Sequence, residues 1–576
     1  MSQKDSWNSK IGVIMAVAGG AVGLGNFLRF PGQVAQYGGG AFMIAYFVSL
    51  LIIGLPIGWA EWTMGRFGGK KGFSAAPGVF NLIWGRPFAK YFGILAIIIP
   101  LGIFTYYVYI QAWCLGYAVN YLFGMFDFKN IAEAQTFWEN FVGVHEDGSA
   151  LGFGMQKVGG YILIAFIIDF FLIFRGVSKG IEFFTKRAIP LLIFIAIIIT
   201  IRVLTLGTPD PQTPENNINN GLGFMWNPNK AVLQSWNTEQ STWENQYQVI
   251  GEIAQKDAQT LVATSPDSYK IEETTIWDQL KRPRLWLAAA SQIFLSLCLG
   301  AGLIIVYASY MKKDDDVVLS NVSSTSANEF SEVALGGLMT IPAGFAFLGA
   351  ASVQNAGTFG LGFNVLPMVF AKMPLGQLFG FLFFFLLFLA SVSATLAMLQ
   401  PGKAFLQEVL GWGHKRTIAL LFAITASSAC IVFWYTKGLK ALDTFDFWIT
   451  FLMFVMVTFE IITFSWGMGA KKGMKEANRG SAFPIPKFFY PIFKYICPIF
   501  LLTVFVLWVL LDALGLGGQG IDHRIVDLFG GNGQKPDPVA WLCVGNILFL
   551  ATLYIFIVAK SKRYKKGFFG MKWGKK

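Results

Sequence analysis

The first long apolar run of the chain carries its own interruption. Residues Gly19 to Phe30 read Gly-Gly-Ala-Val-Gly-Leu-Gly-Asn-Phe-Leu-Arg-Phe. A helix that crosses hydrocarbon must pair every backbone N–H and C=O internally, because lipid offers no partner. Each glycine lowers helix preference by about 1 kcal/mol relative to Ala. The helix is therefore expected to break here and to bare amides and carbonyls at mid-membrane. Bare backbone at that depth is tolerated only around a polar ligand or a wet cavity. Glycines also let membrane helices pack closely, but close packing leaves Asn26 and Arg29 unexplained, since buried polar groups are expensive in lipid. The stretch reads as a binding site.

The rest of the chain supplies the membrane context. Of 576 residues, 55% are hydrophobic and only 14% charged, the balance of a polytopic membrane protein rather than a soluble enzyme. The net charge of +12 does not mark a nucleic-acid binder, because the basic residues concentrate in alternate loops. Apolar runs of spanning length, about 20 residues each, fall near 11–36, 40–68, 88–123, 157–175, 181–206, 284–311, 328–352, 374–409, 416–436, 444–469, 489–514 and 538–560. Loops bearing Arg66, Lys70 and Lys71, then Arg175, Lys179, Lys186 and Arg187, then Lys471, Lys472, Lys475 and Arg479 are expected to face the cytoplasm. Both termini then lie on that side. The last run is followed by Lys560, Lys562, Arg563, Lys565, Lys566, Lys572, Lys575 and Lys576, a cluster suited to anionic headgroups. No signal peptide is expected. Five unpaired Cys and three isolated His give neither a disulfide framework nor a zinc site.

The longer, more polar loops 124–156 and 207–283 read as external, with one or two short amphipathic helices expected in 230–280. The sixth run repeats the oddity of the first: Gln292-Ile-Phe-Leu-Ser-Leu-Cys-Leu-Gly-Ala-Gly302 puts small and polar residues at mid-span. A pair of interrupted spans in corresponding halves points to an inverted-repeat transporter with its site near the midplane. The expected architecture is an all-α integral membrane protein of twelve transmembrane helices, with a five-plus-five inverted repeat and discontinuous helices 1 and 6. Its divisions are 1–10, 11–206 (helices 1–5), 207–283, 284–469 (helices 6–10), 470–560 (helices 11–12) and a basic tail, 561–576.

Several motifs in order now carry a resemblance: Ala21-Val-Gly-Leu-Gly-Asn-Phe-Leu-Arg-Phe-Pro31, Gly38-Gly-Gly-Ala-Phe42, Glu61-Trp-Thr-Met-Gly-Arg66, Tyr106-Tyr-Val-Tyr109, Arg175-Gly-Val-Ser-Lys-Gly180 and Asp446-Phe-Trp448. The sequence resembles the neurotransmitter:sodium symporter family, in its prokaryotic branch, from Trp7 to about helix 12. The resemblance implies a first sodium site made of the Ala21 carbonyl, the Asn26 and Asn328 side chains and the carbonyl and hydroxyl of Ser296, completed by the substrate carboxylate. Neutral oxygens suit a hard cation. It implies a second sodium site from carbonyls of Gly19, Val22 and Ala390 and the Ser393 hydroxyl. Ala394 stands where the family carries another Ser, and Thr395 points about 100° further around a helix, so a weakened or water-completed second site is expected, for one or two Na⁺ in all.

For the substrate, the resemblance implies amides of Leu24 and Gly25 and the Tyr107 hydroxyl around a carboxylate, and carbonyls of Ala21, Leu295 and Ser296 around an ammonium. Gly23 replaces the Asp found in monoamine carriers, which implies an amino acid that brings its own carboxylate. Its side chain would meet Ile103, Tyr107, Leu295, Cys298, Ala301, Ala394 and Met398. Ala301 replaces a Phe, so a bulky neutral side chain is expected. Taken alone, Ile103, Leu295, Met398 and Cys298 read equally as core residues. Arg29 and Asp446 are the implied outer gate; Lys4 and Trp7, with Glu408 as acidic partner, the inner latch. Glu332 replaces the Ser with which chloride-dependent relatives bind Cl⁻, beside groups matching Tyr46, Gln292 and Ser296. Its carboxylate is expected to remove the need for chloride, and a proton on it could be exported during the empty return. Glu61 is expected to support unwound backbone; Asp169 and Glu460 receive no assignment.

The expected function is sodium-driven amino-acid import by alternating access in a cell membrane, that of a bacterial inner membrane, by a monomer or homodimer with no nucleic-acid partner. No cluster of nucleophile, base or metal ligands marks an enzyme, and one interrupted pair argues for a single occluded site rather than a channel. A sodium symporter for another small carboxylate or compatible solute, and a non-transporting amino-acid sensor, stay open.

Overall fold

In a computed structural model that describes residues 7, 9–237, 242–516, 520–531 and 533–565, each of the twelve apolar runs is helical. Among the described residues, nine helices are long and apolar enough to cross a membrane: Gly40–Lys70, Ala89–Leu122, Val177–Leu204, Val317–Ala350, Gly376–Leu410, His414–Trp434, Lys437–Ala477, Phe489–Ala513 and Pro538–Lys560. The pair Ile11–Ala21 and Gly25–Gln36, bent by 46°, makes a tenth. A shorter apolar helix, Gly159–Phe174, and a broken one, Pro283–Ser296 with Leu303–Ser309, occupy the remaining two runs. Numbered in chain order, these are spans 1 to 12. The bent pair is span 1 and the broken pair span 6, so each five-helix set opens on an interruption.

Burial separates the core from the rim. In spans 3 and 8, 89% of the apolar window is buried inside the protein, against 22% and 28% in spans 11 and 12. Spans 3 and 8 pack along each other, and spans 4, 5 and 9 also lie against this pair. Spans 1, 2, 6 and 7 form a second interlocking group that rests on span 8 through span 1. The apolar flanks of spans 11 and 12 face outward, where hydrocarbon is their natural solvent.

Two expectations need correction. Span 7 begins at Val317 rather than near 328, because its first turns are polar: Asn321, Ser324 and Thr325 are buried, and Asn321 donates to the Leu55 carbonyl of span 2 at 3.3 Å. A polar face turned inward hides from any count of hydrophobicity. The segment 230–280 holds the short helices expected of it but also a sheet that an all-helical reading does not foresee. Lys230–Asn237 (β1) pairs antiparallel with Thr242–Gln248 (β2) on one side and Tyr269–Thr274 (β3) on the other. Trp236 faces Trp243 across β1 and β2 with rings 5.3 Å apart, the cross-strand aromatic pairing that holds small sheets together. One helix, Gly251–Thr264, and a short one, Ile276–Leu280, accompany the sheet.

Lys230, at the start of β1, ties this segment back to the helix Ile218–Trp226. Its ammonium donates to the Phe224 carbonyl at 2.7 Å and sits 4.5 Å from the Phe224 ring. Burial pushes its pKa down to about 8 from 10.5, since desolvation disfavours the charged form. Between those values the unfolded chain binds more protons than the folded one, so stability rises with pH across that window and the charge penalty is full below it. Lys230→Met should abolish this rise, read as the slope of the unfolding midpoint against pH between about 8 and 10 in detergent.

Candidate functional site

Span 1 stops being helical at Val22, whose φ/ψ of −72°/89° leave the helix, and resumes at Gly25. The freed backbone finds partners inside the protein. The Gly23 amide donates to Asn26 Oδ1 at 2.9 Å and the Leu24 amide to the Tyr107 hydroxyl at 2.8 Å. A Cβ on Gly23 would stand 2.6 Å from that hydroxyl and 3.6 Å from Ala394 Cβ. Gly23, Leu24, Tyr107 and Ala394 are thus brought together, and glycine is required by the close approach. At Gly25 the corresponding position has nothing within 4 Å, so the break opens on free space.

Span 6 breaks opposite. Cys298, Gly300 and Gly302 have φ of 53°, 75° and 67°, the left-handed region that an L-residue such as Cys298 enters at a penalty of roughly 1–2 kcal/mol. The Gly300 amide donates to Glu61 Oε1 at 2.6 Å, so the fully buried Glu61 supports unwound backbone. Cys298 Sγ donates to the Gly20 carbonyl at 3.2 Å, which ties the two breaks together.

Between them lies a closed polar chain. Asn26 Nδ2 donates to Asn328 Oδ1 at 2.8 Å, and Asn328 Nδ2 lies 3.3 Å from Ser296 Oγ, 3.1 Å from Glu332 Oε2 and 3.4 Å from Glu329 Oε1. Gln292 donates to Glu332 Oε1. Asn26, Asn328, Gln292 and Glu332 are all fully buried. The side chains expected at the first sodium site are therefore neighbours, and their donor set of amide, hydroxyl and carbonyl oxygens fits a hard monovalent cation. Among the described residues no group of three His, Cys, Asp or Glu gathers as a metal cluster.

On the other side of span 1, Ser393 donates to the Ala390 carbonyl at 2.8 Å. A Cβ on Gly20 would lie 2.9 Å from Ala397 Cβ, so span 1 runs tightly along span 8 beside Gly19 and Val22. Thr395 faces away from span 1: its hydroxyl donates to Asp169 Oδ1 of span 4 at 2.9 Å and to the Val392 carbonyl at 3.0 Å. Of the remaining pocket residues, Ile103, Ala301 and Met398 are buried, and Tyr107, Leu295 and Cys298 half-buried.

The expected gates are distributed differently. Arg29 donates to Ser291 at 3.1 Å and Asp446 accepts from the Tyr106 hydroxyl at 2.7 Å; the two charges are not paired with each other. Trp7 donates to the Tyr307 carbonyl at 3.1 Å, whereas Lys4 lies outside the described residues. Glu408 accepts from the Ser74 and Ala75 amides at 2.5 and 3.2 Å and from the Tyr564 hydroxyl at 2.6 Å.

The sequence model of the Sodium:neurotransmitter symporter family matches residues 4–132 and 268–513. The chain belongs to that family. This symporter is 26% identical over 527 residues to an uncharacterized sodium-dependent transporter of Methanocaldococcus jannaschii, covering 89% of this chain and 91% of that one. It is 24% identical over 540 residues to the sodium-dependent nutrient amino acid transporter 1 of Drosophila persimilis, covering 88% and 75%. Its fold matches the crystal structure of MhsT in complex with L-phenylalanine with a TM-score of 0.69 and 26% identity, over 88% of this chain and 99% of that one. The family is one of transporters, not enzymes, and its members use sodium. The stretch the family match passes over, 133–267, holds β1 and β2.

Two participants went unnoticed in the sequence of the symporter. Glu329 takes the Tyr46 hydroxyl at 2.7 Å, the group expected beside Glu332. Its only signal is adjacency to Asn328. Tyr564, beyond the last span, is 2% exposed and donates its hydroxyl to Glu408. Nothing in the basic tail marks it.

The two breaks differ in what they tolerate. A Cβ on Gly302 would lie 2.6 Å from the Ala96 carbonyl oxygen and impose a left-handed backbone, so Gly302→Ala should destabilise by roughly 1–2 kcal/mol from the backbone and about 1–3 from the clash. Gly25→Ala should leave the unfolding midpoint in detergent nearly unchanged while weakening whatever ligand uses the open space there, measured by binding to the same preparation.

Proposed function

We propose that this symporter imports a neutral, bulky hydrophobic or aromatic L-amino acid together with sodium, by alternating access, and without a chloride requirement. The observation that carries the reading is the junction of the two breaks. Asn26, Asn328 and Ser296 gather on one side of it, while the Leu24 amide, the Tyr107 hydroxyl and the open space at Gly25 lie on the other. Oxygens for a cation thus stand beside a donor pair for a carboxylate, aided by the ends of the half-helices. Gly23 leaves no room for an acidic side chain, so the substrate supplies the anion. The residues facing its side chain (Ile103, Leu295, Cys298, Ala301, Ala394 and Met398) carry no charge. The MhsT complex with L-phenylalanine supports a large apolar side chain. The second ion has fewer ligands, because Ala394 offers no hydroxyl and Thr395 is committed to Asp169.

In this reading both termini face the cytoplasm, residues 207–283 cap the outer side, and the separation of Arg29 from Asp446 leaves the outer gate unlatched. Glu332, held by Gln292 and Asn328, supplies the negative charge that chloride would otherwise bring.

Competition by the twenty amino acids for binding to the purified protein, with and without Na⁺, should rank aromatic residues, Met and Leu first and only with Na⁺. Glycine or alanine competing better than Leu or Trp would refute the size argument. Uptake in proteoliposomes should be indifferent to chloride, and Glu332→Ser should make it chloride-dependent; chloride stimulation of the unaltered protein would refute this part.

A further inference from the structure

Span 4 carries a carboxylate that the sodium sites and the substrate pocket do not use. Asp169 is fully buried, ten residues into a sixteen-residue membrane helix. Its Oδ1 accepts from Thr395 of span 8 at 2.9 Å and from Gln111 Nε2 of span 3 at 3.2 Å. Thr395 and Gln111 are themselves fully buried. The other two acceptors of the cluster, Asp169 Oδ2 and Gln111 Oε1, have no hydrogen-bond partner among the described residues. Three helices therefore converge on oxygens that face no donor.

Charges around the cluster do not balance it. On span 3 the titratable groups flanking Gln111 are Tyr107 and Cys114, one turn to either side. Span 8 has none within four residues of Thr395, and Lys403 lies two turns on. On span 9 they are Cys430 and, at the start of the helix, His414, Lys415 and Arg416, with His414 held by the Phe174 carbonyl. After span 4 come Arg175, whose guanidinium lies over the Phe171 ring, Lys179, and Glu182 paired with Lys186 at 2.6 Å. The contacts of Asp169 itself are the Gln111 and Thr395 hydrogen bonds. An unpaired carboxylate buried in a membrane helix is expensive and marks an ion or proton path.

We propose that Asp169, Gln111 and Thr395 form a further site for a monovalent cation, a proton or Na⁺, behind the transport site. The donors are an acid, an amide oxygen and a hydroxyl, with the Val392 carbonyl bonded to Thr395, all hard ligands. The site has direct routes to the transport machinery. Gln111 is one helical turn from Tyr107, which holds the Leu24 amide, and Thr395 follows Ser393 and Ala394 on span 8. A charge entering or leaving here alters the packing of spans 3, 4 and 8 behind the substrate. The inference does not depend on which amino acid is carried.

The test compares the purified, reconstituted protein with Asp169→Asn, which keeps the shape and removes the charge. Two readouts are needed: ²²Na⁺ bound per protein at saturation, and the infrared carbonyl stretch of a protonated carboxylic acid. A stretch present in the parent and missing from the variant establishes a proton; no such stretch, with one Na⁺ fewer bound by the variant, establishes sodium. Identical sodium counts together with identical spectra would overturn the proposal. Should Asp169→Asn fail to fold, Thr395→Val removes one oxygen without touching the charge. It should weaken the bound sodium or shift the carboxylic stretch, and a variant that changes neither overturns the proposal as well.

Discussion

A peptide group released from a helix inside a membrane has nowhere to turn but to the protein itself, and the two broken spans show how that demand organises everything near them. The Leu24 amide takes Tyr107, the Gly23 amide takes Asn26, and the Gly300 amide takes Glu61. Each of these partners comes from a precise place in the chain, so the breaks fix where spans 2 and 3 must lie. Groups still unpaired after that accounting are the ones available to a ligand. The same demand acts on buried acids: Glu61 takes a backbone amide, and Glu329 and Glu332 take the side chains of Tyr46, Gln292 and Asn328.

Legibility followed the physics of each signal. The apolar helices and the two breaks are readable because hydrophobic length and glycine clusters act locally along the chain. Asn26, Asn328, Ser296 and Tyr107 were readable from family motifs, and they are neighbours. Whether a residue faces an ion or merely a neighbour is a matter of direction, and Thr395 shows the difference: it lies two positions from Ser393 and points into another layer. Span 7 was read eleven residues short because Asn321 and Ser324 are polar yet turned inward. The sheet in 230–280 is built from short strands, and β1 pairs with β3 some forty residues further on. Pairings of that kind leave little trace in periodicity.

Glu329 and Tyr564 belong to a different class of miss. Neither has a local pattern that sets it apart, and each matters through a partner far away in sequence: Tyr46 on span 2 and Glu408 on span 8. Asn328 offers one amide nitrogen to both Glu329 and Glu332, so the environment of one carboxylate depends on where the other sits.

The Tyr564 contact has a further consequence in time. Glu408 draws on two amides of the turn after span 2, and Arg563 reaches the Gly72 carbonyl of that turn at 2.5 Å. The C-terminal end of span 8 is thus completed by residues that follow span 12 in the chain. In synthesis from the N-terminus this contact can form only after span 12 has been made, so this face of the protein is completed late.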